Sequence, residues 1–303
     1  MTTVVDDVPG SGPGPRTSGA RRWKVGIPFV AVHVACLAVF LVGWSPVALV
    51  VCVLSYTVRI LGITVFYHRG FSHRAFRTGR AVQLVGATVG ASAAQRGPLW
   101  WVAHHRVHHR YTDRPGDPHS PVVRGLLGSH LLWLFDEENQ ATNLDEVPDL
   151  ARYPELRVLD RFHHLVPLVT AAAAFGLGVL LGRVAPSWGT SGWQLLEWGF
   201  VIPTVALYHS TFAVNSLAHR FGSRRFATRD ASRNNRLVSF LTLGEGWHNN
   251  HHRFPNSARQ GLTASEPDPA WWAIVVLARL GLARDLRPVP AKVLAEGGLA
   301  PGD

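Results

Sequence analysis

The sequence contains almost no cysteine. The only two, Cys36 and Cys52, both lie within long apolar runs. They form neither a disulfide framework nor a cysteine metal site, and an iron–sulfur cluster needs more thiolates than the chain provides. The G-x-G-x-x-G pattern of dinucleotide-binding domains is also absent. Any redox chemistry of this chain must therefore draw its electrons from a separate protein.

Apolar residues are concentrated in four long runs, although the mean hydropathy of the chain is only +0.09. A membrane-crossing helix needs ~20 apolar residues to span ~30 Å of hydrocarbon. Buried core helices of a soluble protein are the alternative, and four runs of this length in one chain argue against it. We therefore predict an all-α integral membrane protein with spans at 27–44, 47–67, 165–182 and 193–214.

The two ends of the chain differ from this apolar body. The beginning is rich in Gly, Pro, Ser and Thr, a composition typical of disorder, and it carries several basic residues. We expect a disordered basic cytoplasmic tail over 1–26, one membrane domain over 27–282, and a loose tail over 283–303.

The basic residues are distributed unevenly between the connections. The formal net charge is +10, yet Arg183 is the only basic residue in the connection between the third and fourth runs. Because basic connections stay on the cytoplasmic side, we predict that both termini and the long central segment are cytoplasmic. A basic chain can also indicate a nucleic-acid partner. Basic loops facing anionic lipid explain the charge here, and we expect no nucleic-acid partner.

Histidine is clustered in short motifs. Both “HRVHH” at 105–109 and “HNNHH” at 248–252 contain the pattern H-x-x-H-H. Because positions i, i+3 and i+4 of a helix share one face, each box is expected to aim three imidazoles at one point. “HRGFSH” at 68–73 adds two histidines five residues apart, which a helix end and a turn could bring together.

Neutral imidazole is the commonest metal ligand and suits iron, zinc and copper. The eight histidines of these motifs exceed the about four ligands that one zinc ion takes, so two metals are the simpler interpretation. Soluble di-iron bundles use pairs of Glu-x-x-His motifs, and only Glu245 with His248 matches that pattern. The boxes flank the predicted spans, which indicates lipid chemistry at the membrane surface.

The order of the motifs resembles the membrane fatty acid desaturases, in particular a bacterial member of the acyl-CoA delta-9 (stearoyl-CoA) type. The resemblance rests on “HRGFSHR”, “HRVHH”, “TDRPGDPHSP”, “NSLAHRFG” and “GEGWHNNHH” and extends from about the first apolar run to Pro255. It implies four membrane helices as a stem, with a cytoplasmic helical cap that holds two iron ions. It also implies that Asn215 binds iron through a water molecule. The implied ligands are His68, His73, His105, His108, His109, His219, His248, His251 and His252.

Other side chains near the boxes are expected to support the metal site. Carboxylates often fix the tautomer of a metal-binding histidine through its second ring nitrogen. Our candidates are Asp113, Asp117 and Glu245, although turn chemistry explains aspartate in a Pro/Gly segment equally well. Trp100, Trp101 and Trp247 are candidates for an acyl tunnel, and a membrane-interface belt is the alternative.

The remaining histidines are expected outside the metal site. His33 and His209 lie in predicted spans, where a local helix contact is the ordinary role of a polar side chain. His119 and His130 are expected to play a loop or supporting role.

The resemblance implies O2-dependent desaturation of a saturated fatty acyl chain, yielding a cis double bond and water. The cofactors would be two iron ions cycling between Fe2+ and Fe3+, reduced by a separate ferredoxin-type or flavin-containing donor that the basic face would attract. Animal acyl-CoA members carry basic residues where this chain has Ala103, Glu137 and Glu138. The acyl carrier therefore stays open between coenzyme A, acyl-carrier protein and a glycerolipid.

Two other functions remain open at this stage. A membrane hydroxylase of an alkyl or lipid chain uses similar boxes and the same metal chemistry. A metal transporter or storage protein would also be rich in histidine, but it should place its histidines or acids along a path within the spans.

Overall fold

The computed structural model describes residues 19–300, and these residues are mainly helical. Helix α1 (Gly19–Ala35) continues through a 3-10 turn (Cys36–Ala38) into α2 (Val39–Val42). Helix α1 includes residues 19–26, which lie within the basic N-terminal tail expected from the sequence. Residues 1–18 and 301–303 lie outside the described residues.

Helix α3 (Pro46–Leu61) is capped by the preceding Ser45, whose side chain accepts a hydrogen bond from the backbone N–H of Ala48. It continues as a π-helix over Gly62–Ser72. Gly62 is required here, because a Cβ atom would lie 2.6 Å from the backbone nitrogen of Gly90 in α4 (Arg80–Ser92). The wider π-turn therefore lies directly against α4.

The central segment consists of short helices. They are α5 (Pro98–Tyr111), α6 (Pro121–His130), α7 (Pro148–Ala151) and α8 (Pro154–Arg161), with 3-10 turns at Leu132–Phe135, Glu137–Asn139 and Leu144–Glu146. Proline stands in the first turn of each of the four helices, where its missing N–H costs no hydrogen bond. Buried Ile63 and Tyr67 of the π-helix pack in one core with Leu99 and Val102 of α5 and Leu156 of α8. This core fixes the π-helix against α5.

Two of the described helices are long and apolar enough to cross a membrane, the 27-residue stretch Pro46–Ser72 and the 20-residue α9 (Leu165–Val184). They coincide with the predicted spans 47–67 and 165–182. The predicted span 27–44 falls on a shorter apolar helix, Gly26–Val42. The predicted span 193–214 falls on α10 (Gly192–Leu196), a π-turn (Glu197–Val201) and α11 (Ile202–Ser216), after an intervening 3-10 turn at Pro186–Trp188.

The C-terminal third, like the central segment, consists mainly of short helices. It contains a 3-10 turn (Leu217–His219), α12 (Arg236–Thr242), α13 (His248–Arg253), α14 (Pro269–Arg279) and α15 (Ala291–Glu296). Strands β1 (Arg77–Thr78) and β2 (Ala283–Arg284) pair antiparallel.

The expected loose tail from residue 283 is wrong for residues 283–300. Besides pairing with β1 through β2, this segment buries Val293 of α15 against Phe226 and Leu262. Glu296 forms an ion pair with Arg253. Tertiary contacts of a short apolar stretch keep residues 283–300 in place. The amino-acid composition of this segment does not predict such contacts.

Candidate metal centre

Helices α5 and α13 and the π-helix carry most of the clustered histidines. The π-helix has hydrogen bonds between residues five apart, and the backbone N–H of His73 donates to the carbonyl of His68 over 3.2 Å. Their rings lie 4.8 Å apart between centroids. The π-turn therefore provides the convergence that a five-residue spacing needs.

Helix α13 is positioned by the glycine that precedes it. A Cβ atom on Gly246 would lie 2.0 Å from the backbone nitrogen of Ser239 in α12, a distance that no side chain tolerates. The glycine thus lets the start of the second H-x-x-H-H box approach α12. This contact explains why the second glycine of “GEGW”, Gly246, cannot be replaced by a larger residue.

The histidines form two adjoining clusters, and each box divides between them. In each cluster the candidate ligand atoms all lie within 4.8 Å of one another. The first cluster consists of His68, His73, His105, His109 and His251, and the second consists of His108, His219, His248 and His252. The expectation that a box aims all three imidazoles at one point is therefore wrong. With 3.6 residues per turn, i+4 lies about 40° to one side of position i and i+3 about 60° to the other side.

In the first cluster, Nε2 atoms face one another. The Nε2 atom of His251 is 3.1 Å from Nε2 of His68 and 3.0 Å from Nε2 of His109, and the Nε2 atoms of His73 and His105 are 2.7 Å apart. One Nε2 atom carries at most one proton, so His251 cannot donate to both of its neighbours. A cation between the rings accounts for this convergence.

The second cluster repeats the arrangement. Nε2 of His248 lies 3.0 Å from Nε2 of His219 and 3.0 Å from Nε2 of His252. An ion with imidazole nitrogens about 2.0–2.1 Å away has neighbouring nitrogens about 2.8–3.4 Å apart in octahedral or tetrahedral shells. The spacing in both clusters is close to that range. Rings of different clusters also adjoin, since the centroids of His109 and His252 are 4.6 Å apart.

Carboxylate oxygens contact the Nδ1 atoms of four clustered histidines. Nδ1 of His108 is 3.0 Å from both oxygens of Asp117, and Nδ1 of His219 is 3.0 Å from Oδ2 of Asp113. Glu245 contacts Nδ1 of His68. The three carboxylates named from the sequence therefore each lie against a clustered histidine. A proton on Nδ1 leaves the Nε2 lone pair free to face inward.

A fourth carboxylate was missed in the sequence. Asp230 lies 3.2 Å from Nδ1 of His252, and Gln260 lies 3.3 Å from Nδ1 of His251. Buried Arg69 donates to Glu245 and to Asp268, and so fixes the carboxylate that contacts His68. “TRDASR” around Asp230 carries no distinguishing pattern, whereas an arginine directly after the first histidine of “HRGFSH” was a signal that could have been used.

Protonation states favour metal binding. Burial, followed by the charge of neighbouring imidazoles, lowers the pKa well below the ordinary value for His73, His105, His109, His248 and His251. Burial also lowers the pKa of His252 to about 4, against the opposing hydrogen bond to Asp230. These rings are neutral at pH 7, which is the form that binds metal ions.

The carboxylates remain charged. Burial raises the pKa of Asp113, but the hydrogen bond and charge of His219, with the hydrogen bonds from Ser120 and the backbone N–H of Ala231, together outweigh burial and the pKa falls to about 2. The pKa values of Asp117, Asp230 and Glu245 are lowered in the same way, against burial, by their imidazole partners. The site thus combines these six neutral imidazoles with an outer layer of negative charge, which suits bound cations.

A cavity of about 630 Å³ adjoins the clusters. His105 of the first cluster lines it, as do Asn215, Trp100 and Trp101. Asn215 lies one helical turn before His219. Trp247 is not among the described residues that line the cavity, and its indole N–H donates to the carbonyl of Pro267.

The other histidines lie outside the two clusters. The ring of His119 stacks on His108 at 4.4 Å, and these two residues with Asp117 form a third group that could hold an ion. His33 and His130 flank His209, each at 3.0 Å from one of its two ring nitrogens. Because His209 uses both nitrogens, these three rings do not converge on one point.

Comparisons with known proteins agree with this architecture. A family model described as “Fatty acid desaturase” matches residues 21–265. The sn-2 palmitoyl-lipid 9-desaturase of Nostoc sp. is 36% identical over 282 residues, which cover 91% of this chain and 94% of that protein. The delta-9 acyl-lipid desaturase 1 of Arabidopsis thaliana is 38% identical, covering 90% and 87%. The acyl-CoA 5-desaturase AL21 of Anemone leveillei is 37% identical, covering 86% and 78%. The chain belongs to the fatty acid desaturase family.

Proposed function

We propose that this chain introduces a cis double bond, at or near the delta-9 position, into a saturated fatty acyl chain, using O2 and two bound iron ions. As a fatty acid desaturase it is an oxidoreductase that desaturates fatty acyl chains. One observation carries the specific proposal. Two adjoining clusters built only of imidazoles meet a largely apolar cavity through His105 of the first cluster.

We assign one iron to each histidine cluster. Imidazole donors suit iron, and the desaturase family is iron-dependent. The five-histidine cluster would hold one ion, and the four-histidine cluster would hold the second, together with a water molecule on Asn215. When bound, the irons activate O2 for removal of two hydrogen atoms from adjacent methylene groups.

The protein residues orient and insulate this centre. Asp113, Asp117, Asp230 and Glu245 each keep a proton on Nδ1 of a ligand histidine, so that Nε2 presents its lone pair to the metal. Their negative charges offset the charge of the ions. The carboxylates are positioning residues, because each acts through an imidazole.

The cavity is suited to an extended acyl chain. Its volume of about 630 Å³ lies within the range of small-molecule sites. Aromatic side chains, among them Trp100, Trp101 and Phe212, line it, and His105 brings the first metal cluster to its surface. Such a wall excludes water and holds one pair of methylene groups near the metals.

We further propose that the protein is an integral protein of a bacterial cell membrane, with four spans and with both termini and the metal site on the cytoplasmic side. The apolar helices and the distribution of basic residues support this orientation. The electron donor would be a separate ferredoxin-type or flavin-containing protein, because the sequence has neither a cysteine cluster nor a dinucleotide motif.

Product analysis tests the proposal. A host that lacks desaturase activity would express the wild-type chain, His251→Ala or His209→Ala, and would be supplied with isotopically labelled stearate and palmitate. We expect a labelled cis monoene with the wild type and with His209→Ala, since His209 belongs to neither cluster. His251→Ala should yield no product, because His251 links two Nε2 neighbours of the first cluster.

The purified proteins also require a metal measurement. Elemental analysis of the wild type should give two irons per chain, and His251→Ala should lose at least one. A hydroxylated chain in place of the monoene would establish a hydroxylase. Absence of any oxidised lipid, with iron bound and a competent donor present, would refute lipid oxidation.

A further inference from the structure

An apolar groove of about 1120 Å³ lies on the outer side of α1. Ile27, Val30, Ala31 and Val34 line it from α1, at the spacing of one helical face. Leu132 lines it from the opposite side. We call this space the outer groove.

The outer groove and the cavity are separated by a single layer of structure. Phe29 and Val32, on another face of α1, line the cavity, whereas Val30 and Ala31 line the outer groove. Phe135 lines both spaces. Helix α1 and the 3-10 turn Leu132–Phe135 each contribute residues to both spaces and so lie between them.

The ring of Phe135 makes the contact between these two elements. Phe135 meets α1 through an edge-on contact with Phe29, at 5.7 Å between ring centroids. Gly26 lies beside this contact and has no side chain. A Cβ atom at Gly26 would lie 3.9 Å from the Phe135 ring. Phe135 is the described residue that both spaces share in their linings.

The charge beside Phe135 disfavours a polyphosphate carrier. Three acids in sequence, Asp136, Glu137 and Glu138, follow Phe135, and Asp136 lines the outer groove as the ion-pair partner of Arg124. Arg124 offsets Asp136, and residues 131–151 contain no lysine or arginine beside these carboxylates that could bind the phosphate groups of coenzyme A. A lipid head group that remains at the membrane surface need not approach them.

We propose that the substrate is a two-chain glycerolipid, whose reacting chain occupies the cavity while its second chain lies in the outer groove. Both chains are attached to one glycerol, so their binding spaces must adjoin, and the outer groove meets the cavity at Phe135. A single-chain thioester would use the cavity alone. This inference rests on the proposed desaturation at the adjoining metal clusters.

Filling the outer groove tests the inference. The full-length, iron-loaded protein would be assayed with a chemical reductant and a mediator on distearoylphosphatidylglycerol, on the corresponding one-chain lysolipid and on stearoyl-CoA. Ala31→Trp and Val34→Trp project into the outer groove. Leu41→Trp adds the same side chain to an exposed apolar position of α2 that lines neither space, and serves as the control.

We expect wild-type turnover of the two-chain lipid, and a ratio of two-chain to one-chain turnover that falls about tenfold in both groove variants, since lost contact with two methylene groups is worth that factor. Leu41→Trp should keep the wild-type ratio. Iron content and thermal unfolding of each variant identify one that has not folded, and the other groove variant then decides.

Each other outcome has a distinct meaning. Wild-type conversion of stearoyl-CoA without conversion of the glycerolipid would overturn the inference and leave the proposed desaturase function intact. An equal loss on all three substrates in both groove variants would also overturn it, because the second chain would then have no separate space. No conversion of any substrate by the wild type would count against the proposed function itself.

Discussion

Replacing Asp117 with asparagine should weaken metal binding in the second cluster alone. Both oxygens of Asp117 lie 3.0 Å from Nδ1 of His108, and they also accept hydrogen bonds from the backbone N–H groups of Asp113 and His119. Asparagine has a similar shape but only one acceptor oxygen. Its amide N–H would therefore face one of these donors, and the charge that supports the His108 imidazole would be lost.

The size of the effect follows from the position of the carboxylate. Loss of the carboxylate partner of a metal-binding histidine costs about 10- to 100-fold in metal affinity, equivalent to about 1.4–2.7 kcal/mol. Asp117 contacts no histidine of the five-membered cluster among the contacts described. Iron bound there should keep its wild-type affinity.

Chelator competition measures this difference. Iron per chain, plotted against chelator concentration, should fall in two separate steps for Asp117→Asn, with the first step shifted about 10- to 100-fold from the wild type. Asp160→Asn is a matched control, since Asp160 accepts hydrogen bonds from the backbone N–H of Trp100 and the hydroxyl of Thr142 and contacts neither cluster. Equal iron loss from the two variants, or simultaneous loss of both irons from Asp117→Asn, would refute the reasoning.

Three further predictions concern the scaffold. Gly246→Ala should prevent the docking of α13 against Ser239 and abolish iron binding, as measured by iron content, whereas an exposed glycine with free space around it, such as Gly79, should accept alanine. Ending the chain before residue 283 should lower the melting temperature in detergent, because it removes β2 and buried Val293; an unchanged melting temperature would contradict this packing. Burial raises the pKa of Asp149, but hydrogen bonds from Arg106 and Arg74 outweigh burial and lower it. Its stabilisation is therefore present above about pH 4 and lost as the pH falls through the lower folded pKa. The advantage of the wild type over Asp149→Asn, about 1–2 kcal/mol at pH 7, should shrink steadily below about pH 4.

Much of the metal site could be predicted from the sequence, and the reason is chemical. The three histidine motifs identify eight candidate ligands by residue type and local spacing, and the resemblance to the desaturases adds His219; all nine lie in the two clusters. Asp113, Asp117 and Glu245 were identified because they lie near the motifs in the chain. Asp230 was not, because its contact with His252 joins segments 22 residues apart and leaves no local pattern.

The ends of the chain show the limits of local composition. Residues 283–300 look loose in the sequence, but Arg284 pairs with Arg77 and Val293 enters a core with Phe226. These contacts depend on partners far away in the chain. Composition reports whether a segment could fold alone, and says little about whether another segment covers it.

By itself the sequence identified the candidate metal-binding histidines and the apolar segments, and it predicted two metals and four membrane spans. Only the tertiary structure decided how the ligands are shared. Each H-x-x-H-H box places its i and i+4 rings in one cluster and its i+3 ring in the other, since i+3 and i+4 diverge by about 100° around a helix. That division depends on where the π-helix and the 3-10 turn at His219 bring the partner rings, and such long-range packing has no local signature in the sequence.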